Sequence, residues 1–300
     1  MLEGEKILVT GPTSQVALPI VRKLAKRNQV LGLARFSKPE DADRVAALGV
    51  EPLRADLADG VLDVVPEDVS LVLHFAVVKS GDFAYDLAAN AEGVGHLMAR
   101  CRRARAFVHC SSGAVYEGGG HTPRREGDPL GDNHRVLFPT YSIAKIAAES
   151  MVRFGTRHWN LPSVIARLSV PYGDNGGWPW FHLMMMKGEV EIPLHPDGPN
   201  VYNLLHEDDY ISHLPRLAEI ANVPAVTLNW GGDAAGIEEW CAWLAELTGL
   251  EPKFRTGDDA IGSLELDLSR MHQLLGETRV RWKDGLRRLV EARNPELLKG

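Results

Sequence analysis

The chain is poor in the features that announce a disulfide framework, a metal site or a membrane segment. Its 300 residues include three cysteines, Cys101, Cys110 and Cys241, an odd number without metal-like spacing. That usage suits a reducing compartment. None of the eleven histidines forms a His-x-x-x-His pair. The densest run of possible ligands, His206-Glu207-Asp208-Asp209, reads better as structure than as a metal site. No apolar run approaches the ~18 residues that suggest a membrane span. The first residues, Met1–Lys6, lack the positive start and apolar core of a secretory signal, so a cytoplasmic location is expected. An excess of positive charge is also missing. Lys and Arg total 33 against 40 Asp and Glu, a net charge of −7 that argues against a general nucleic-acid surface. The basic run Arg100–Arg105 instead reads as the polar end of a helix.

What is present is the pattern of an α/β protein. Short apolar strands at Ile7–Thr10, Val30–Ala34, Leu71–Phe75, Phe107–Cys110 and Ser163–Ala166 alternate with amphipathic helices near Gln15–Lys26, Phe83–Arg102 and Tyr141–His158. Such alternation predicts a Rossmann-type doubly wound parallel sheet. Val226–Trp230 reads as a further strand returning to it. From about Tyr172 the pattern loosens into a glycine-rich loop, Gly173–Pro179, then an apolar helix, Trp180–Lys187, and later a helix over Glu238–Leu247.

Three stretches carry chemistry. The first is Lys6–Thr10 followed by Gly11-Pro12-Thr13-Ser14-Gln15-Val16-Ala17 and an apolar helix. Strand, glycine turn and helix amino terminus build a site for a dinucleotide pyrophosphate. Gly11 is present, but Ser14 and Ala17 stand where later glycines are expected. We therefore assign 1–171, with the returning strand near 226–231, to a dinucleotide-binding domain. A small discontinuous substrate lobe is expected at 172–225 and 232–300. The second stretch is Tyr141-Ser142-Ile143-Ala144-Lys145. Residues four apart share a helix face. A phenol titrates near 10, and a neighbouring ammonium favours the phenolate, so the pair can exchange a proton with an alcohol or carbonyl. The third is the predicted strand over 106–110, ending in Ser111-Ser112-Gly113-Ala114-Val115-Tyr116. Ligands bind outside the carboxyl ends of parallel strands, where a serine can donate to a substrate oxygen.

Together these residues resemble the extended short-chain dehydrogenase/reductase superfamily, in its epimerase/dehydratase-like branch. Val9-Thr10-Gly11 resembles the first strand and turn, and Ala55-Asp56-Leu57 the adenine-contacting Asp-Leu. Leu73-His74-Phe75-Ala76 is similar to the strand whose alanine lies along the cofactor, and Asn90 to a helix asparagine. Ser112 matches the catalytic hydroxyl four residues before Tyr116, and Tyr141 with Lys145 matches Tyr-x-x-x-Lys. Arg167–Gly173, His206–Asp209 and Asp267–Arg270 with Leu275-Gly276 follow in the family's order. The resemblance implies catalysis by Ser112, Tyr141 and Lys145. Tyr141 would move the proton, Lys145 would lower its pKa and hold the nicotinamide ribose, and Ser112 would orient the oxygen. It further implies cofactor binding by Gly11, Thr13, Ser14, Gln15, Val16, Arg35, Asp56, Leu57, Phe75, Ala76, Val77, Asn90, Tyr141, Lys145 and Leu168. Ser111, Ser112, Val78, Val170, Trp178 and Trp180 are the expected substrate contacts, and helices 83–102 and 141–158 the expected homodimer interface.

Cofactor choice turns on the end of the second strand. NAD-preferring sites place an acid beside the adenosine ribose. Here Ala34 stands there, followed by Arg35, with Ser37 and Lys38 close by. An arginine fork suits a 2′-phosphate, so NADP is favoured over NAD, although Glu40 and Asp41 lie near enough in sequence to serve NAD.

The substrate is read from what the lobe offers. Dehydratases of this type are expected to carry Asp-Glu after the serine-position hydroxyl, where this chain has Gly113-Ala114. Sugar-nucleotide members often have an asparagine where Val170 stands and an arginine near the His-x-Asp-Asp segment, where Asn200-Val201-Tyr202-Asn203 has none. Between Leu168 and Pro215 the only Lys or Arg is Lys187, with Arg255, Arg279 and Arg281 following in the C-terminal part. Trp178, Trp180, Phe181 and Met184-Met185-Met186 suggest an apolar ligand, although packing is the commoner use of methionine. The expected activity is an NAD(P)-dependent oxidoreductase acting on a small or moderately hydrophobic alcohol or carbonyl. The alternatives are a sugar-nucleotide 4-epimerase and a non-catalytic nucleotide-sensing regulator. No metal, nucleic-acid or membrane partner is expected.

Overall fold

The structure, a computed structural model, describes residues 2–299. Among them, seven parallel strands form the large sheet: β1 (Lys6–Thr10), β2 (Gln29–Ala34), β3 (Val50–Arg54), β4 (Leu71–His74), β5 (Ala106–Ser112), β6 (Ser163–Leu168) and β11 (Val226–Trp230). Their order is β11-β6-β5-β4-β1-β2-β3. The order reverses direction between β1 and β4, the crevice where doubly wound sheets bind ligands. The central strands are near-continuous apolar runs because helices cover both faces.

One face packs against α1 (Ala17–Leu24), α7 (Glu207–Glu219) and α9 (Ser269–Leu275), burying Leu18, Val21, Tyr210, Leu214 and Met271. The other packs against α4 (Gly93–Arg100) and α5 (Tyr141–His158), burying Val94, Leu97, Met98, Ala148 and Val152. The sequence reading gave 172–225 to the substrate lobe, yet α7 within it is a layer of the large sheet. Tyr210, Leu214 and Leu217 face that core at helical spacing.

A second sheet, β12-β10-β7-β8, joins β7 (Val170–Gly173), β8 (Gly176–Gly177), β10 (Val201–His206) and β12 (Asp233–Gly236). A small parallel pair, β9 (Ile192–Leu194) and β13 (Phe254–Thr256), stands beside it. With α6 (Trp178–Lys187), α8 (Ile237–Thr248) and α10 (Trp282–Arg293), these elements enclose a second core around Trp240, Tyr202, Leu244 and Leu289. The remaining helices are α2 (Pro39–Ala46) and α3 (Phe83–Leu87).

Two expected elements differ. The helix predicted over Phe83–Arg102 is α3 and α4 joined by a π-helical turn, Ala88–Glu92, which contains Asn90. The loop predicted through Pro179 ends earlier, because Pro179 sits in the first turn of α6, where its missing N–H costs no helical bond.

Candidate active site

Tyr141 and Lys145 occupy the first turns of α5, directly beside the carboxyl end of β5. Ser112, the last residue of β5, points its hydroxyl toward the Tyr141 phenol and accepts from the Ala114 amide at 3.1 Å. The three line a cavity of about 480 Å³ with Leu168, Val170, Trp178, Phe181 and Leu137. Lys145 does not touch the phenol as the sequence suggested. Its Nζ donates to the Cys110 carbonyl at 2.7 Å. Burial therefore dominates and pushes the Tyr141 phenol up to about 12, against the opposing hydrogen bond from Ser112. Burial likewise lowers the Lys145 pKa, with Cys110 and Glu149 pulling the other way. The phenol in this state is an acid holding its proton.

Next to this cavity is a cleft of about 320 Å³ over the carboxyl ends of β1, β2 and β4. Ser14, Phe75 and Val77 line both spaces. Gly11 has φ +66°, and a Cβ there would stand 3.0 Å from the Ala76 Cα. Only glycine lets this turn approach β4 so closely. The Thr10 hydroxyl closes the gap, accepting from the Phe75 and Ala76 amides at 3.1 and 3.0 Å. The Ser14 hydroxyl satisfies the first amide of α1, accepting from the Ala17 N–H at 3.2 Å. Gly11, Thr13, Arg35, Asp56, Leu57, Ala76 and Asn90 also line the cleft. A narrow glycine turn at a helix start, leading into a polar cleft and then to Tyr141, fits an extended dinucleotide.

The comparisons agree with this geometry. The model of the NAD dependent epimerase/dehydratase family matches residues 7–226. The chain belongs to this family. It is 23% identical over 252 residues to a Dictyostelium discoideum dTDP-D-glucose 4,6-dehydratase, covering 73% of this chain and 57% of that protein. It is 38% identical over 127 residues to a Burkholderia thailandensis dTDP-4-dehydrorhamnose reductase, covering 41% of this chain and 39% of that protein. The matches thus span about half or less of these curated relatives. The solved structure of MoeE5 in complex with UDP-glucose and NAD superposes with a TM-score of 0.80 at 25% identity, covering 97% of this chain and 99% of that one.

Within this epimerase/dehydratase-family site, several sequence-predicted residues take other places. Ser111 borders the cavity, but its hydroxyl donates to Glu149 Oε1 at 2.7 Å. Glu149 is fully buried and also receives both arms of Arg167 at 2.8 Å and Arg153 at 2.7 Å, which hold its carboxyl below the usual range despite burial. The Ser111 hydroxyl is thus committed to Glu149 while Ser112 faces Tyr141, because alternate strand residues face opposite sides. Val78 lines the cleft over β1, β2 and β4, not the cavity above Tyr141. Asn90 spends both polar atoms on Val78, accepting from its amide at 2.7 Å and donating to its carbonyl at 2.8 Å, so it braces the cleft wall. Trp180 is absent from the cavity; its indole donates to Asn294 at 3.1 Å and stacks under Arg293. Phe181 fills that role instead, three residues from Trp178 on the same helical face. Gln15 and Val16 line the cavity above Tyr141 rather than the cleft over β1, β2 and β4. The Met184 and Met185 side chains join the second core.

Two titratable residues of the cavity, Lys79 and His134, lie outside the sequence motifs, as do the apolar Leu137, Phe138, Ile261 and Leu264. Lys79 lines the cavity with its Nζ 4.3 Å from the Phe138 ring centre and 4.5 Å from that of Tyr141. Burial, reinforced by Lys145, lowers its pKa. His134 stands beside them in the cavity wall. Lys187 is the only Lys or Arg between Leu168 and Pro215, whereas Lys79 follows β4 and reaches the cavity through the fold. Among the described residues no cluster of His, Cys, Asp and Glu could hold a metal, and no helix is long and apolar enough to cross a membrane. His206 caps α7, accepting from the Asp208 amide at 3.2 Å.

Proposed function

We propose that this family member transfers hydride between a nicotinamide cofactor and a moderately hydrophobic alcohol or carbonyl compound. The observation that carries this reading is the cavity above Tyr141. It is walled by Leu137, Phe138, Trp178, Phe181, Ile261 and Leu264, and its lining contains two lysines, no arginine and no carboxylate. Arg255 is paired with Asp259 and Arg281 with Asp233, away from this wall. A dianionic pyrophosphate leaving water needs several aimed donors. An uncharged carbonyl needs one or two.

When bound, the cofactor would supply or accept the hydride at the substrate carbon. Gly11, Thr13, Ser14, Asp56 and Ala76 would hold it. The Ser112 hydroxyl, fixed by the Ala114 amide, orients the substrate oxygen. Tyr141, still protonated in its buried setting, donates its proton to that oxygen during reduction and recovers one in the reverse direction. Lys145, already tied to Cys110, stabilises the transient phenolate. Apolar walls exclude water and strengthen these interactions.

The family is NAD-dependent by description, and MoeE5 holds NAD. We extend this to NADP because Ala34 and Arg35 replace an acid at the ribose position and line the cleft. The exposed Phe83 and Phe154, on α3 and α5, support a homodimer through these helices. The three buried free thiols support a cytoplasmic location. A sugar-nucleotide 4-epimerase is the second reading, favoured by the likeness to MoeE5 with its UDP-glucose. Incubation with NADPH or NADH and a panel of aromatic and alicyclic ketones and aldehydes separates the two. Cofactor oxidation by some of them is expected, with no competition by UDP or dTDP at micromolar concentration. Tight UDP-sugar binding by calorimetry with 4-epimer product would reverse the choice.

A further inference from the structure

The adenosine end of the cleft contains a hydrogen-bonded chain through Tyr85, a residue outside the motifs described above. Arg35 Nη1 donates to the Tyr85 hydroxyl at 2.7 Å, and that hydroxyl donates to Asp56 Oδ2 at 2.7 Å. Arg35 and Asp56 both line the cleft, but Tyr85 does not; it stands behind them on α3. Each link is anchored. Asp56 Oδ1 accepts from the Ala58 amide at 3.0 Å, and the Tyr85 amide donates to the Asp82 cap at 3.1 Å. We propose that Tyr85 is a specificity-positioning residue, holding Arg35 over the adenosine ribose so that it can recognise a 2′-phosphate. This rests on the NADP reading above.

The polarity of the chain supports the role. A hydroxyl has one hydrogen to give, and Tyr85 gives it to the carboxylate, so it can only accept from Arg35. Burial and Asp56 raise the Tyr85 pKa, which keeps that hydrogen in place. The guanidinium keeps four further N–H donors. A direct Arg35–Asp56 pair would set a carboxylate against the incoming phosphate. The phenol keeps the two charges apart while fixing the arginine, whose side chain would otherwise lose rotamer entropy on ordering. Lys38, Ser37 and Asp41 complete this end of the cleft, with Lys38 adding charge of the right sign.

The test uses adenosine 2′,5′-bisphosphate and 5′-AMP as probes, titrated by calorimetry into the wild-type protein, Tyr85→Phe, Arg35→Ala and the double variant. Tyr85→Phe keeps the ring and removes the hydroxyl. It should weaken bisphosphate binding about fivefold and AMP binding less than twofold, with the double variant no weaker than Arg35→Ala alone. Equal losses for both probes, or none, in Tyr85→Phe would overturn the positioning role even if Arg35→Ala abolishes the bisphosphate preference. A wild-type protein that prefers the bisphosphate no more than AMP would instead remove the NADP reading, and the proposal with it.

Discussion

Ser111 and Ser112 are sequence neighbours that the β5 pleat sends to opposite destinations. The Ser112 hydroxyl faces Tyr141, while that of Ser111 is held by Glu149 inside the protein. Ser112→Ala should therefore lower turnover with little change in melting temperature. Ser111→Ala leaves a carboxylate short of one hydrogen bond and should cost about 1–3 kcal/mol in denaturant unfolding, with turnover kept. The opposite pattern would exchange their roles. Tyr141→Phe removes the proton donor but keeps the ring, so turnover should drop by roughly 10² or more while the dissociation constant for the cofactor stays near the wild-type value. Near-normal turnover would take Tyr141 out of the mechanism. The motif spacing made Tyr141, Lys145 and Ser112 legible in the sequence. It could not disclose that the Lys145 ammonium bonds to Cys110, because backbone acceptors carry no sequence signal.

Elements were legible where one face is buried on a regular period. β1, β4, β5, β6 and β11 are apolar runs, and α5 was read to its exact residues because its buried positions recur along one side. β3 escaped because it lies at the sheet edge, buries only Val50 and contains Pro52, which an edge strand tolerates. α7 was placed in the wrong layer because chain order was read as spatial order, whereas β10 delivers it back to the large sheet. The turn between β1 and α1 is the element on which the nucleotide cleft depends. Gly11→Ala would need a left-handed backbone and would drive a methyl toward the Ala76 backbone. Because the contact is to main chain, β1 and β4 must separate locally. Cofactor binding should weaken at least tenfold, and the protein should lose about 1 kcal/mol or more of stability. Unchanged cofactor affinity in this variant would mean that the turn does not approach the pyrophosphate.

At the scale of the whole molecule, the large sheet carries buried histidines at its centre, and they add to the acid response of His134, His182, His206 and His213, whose pKa values burial also lowers. His74 on β4 and His109 on β5 are register partners and stack at 5.2 Å. Burial, with the Lys145 charge, lowers His74 to about 3 and His109 well below its ordinary value. Neither ring nitrogen of His109 has a hydrogen-bond partner, so nothing compensates a charge there. In the unfolded chain both titrate near 6.5. The unfolded state therefore binds more protons in the window below that value, and stability falls as pH falls. Each such histidine removes roughly 1.4 kcal/mol per pH unit across the window. Glu149, with its carboxyl held low by Arg167, adds a second loss that starts only below about 4.3, where the unfolded glutamate takes up its proton. The acid limb should thus have two parts, a gradual loss from about pH 6.5 and a steeper one below about 4.3. His109→Leu removes one of the titrating groups and should flatten the upper part while leaving the lower part in place. Glu149→Gln should do the reverse, after an initial cost of about 3–5 kcal/mol at neutral pH for leaving Arg167 unpaired. Urea unfolding of the three proteins between about pH 2.5 and 8 reads both limbs, and an upper limb of unchanged slope in His109→Leu would show that this sheet histidine does not govern it.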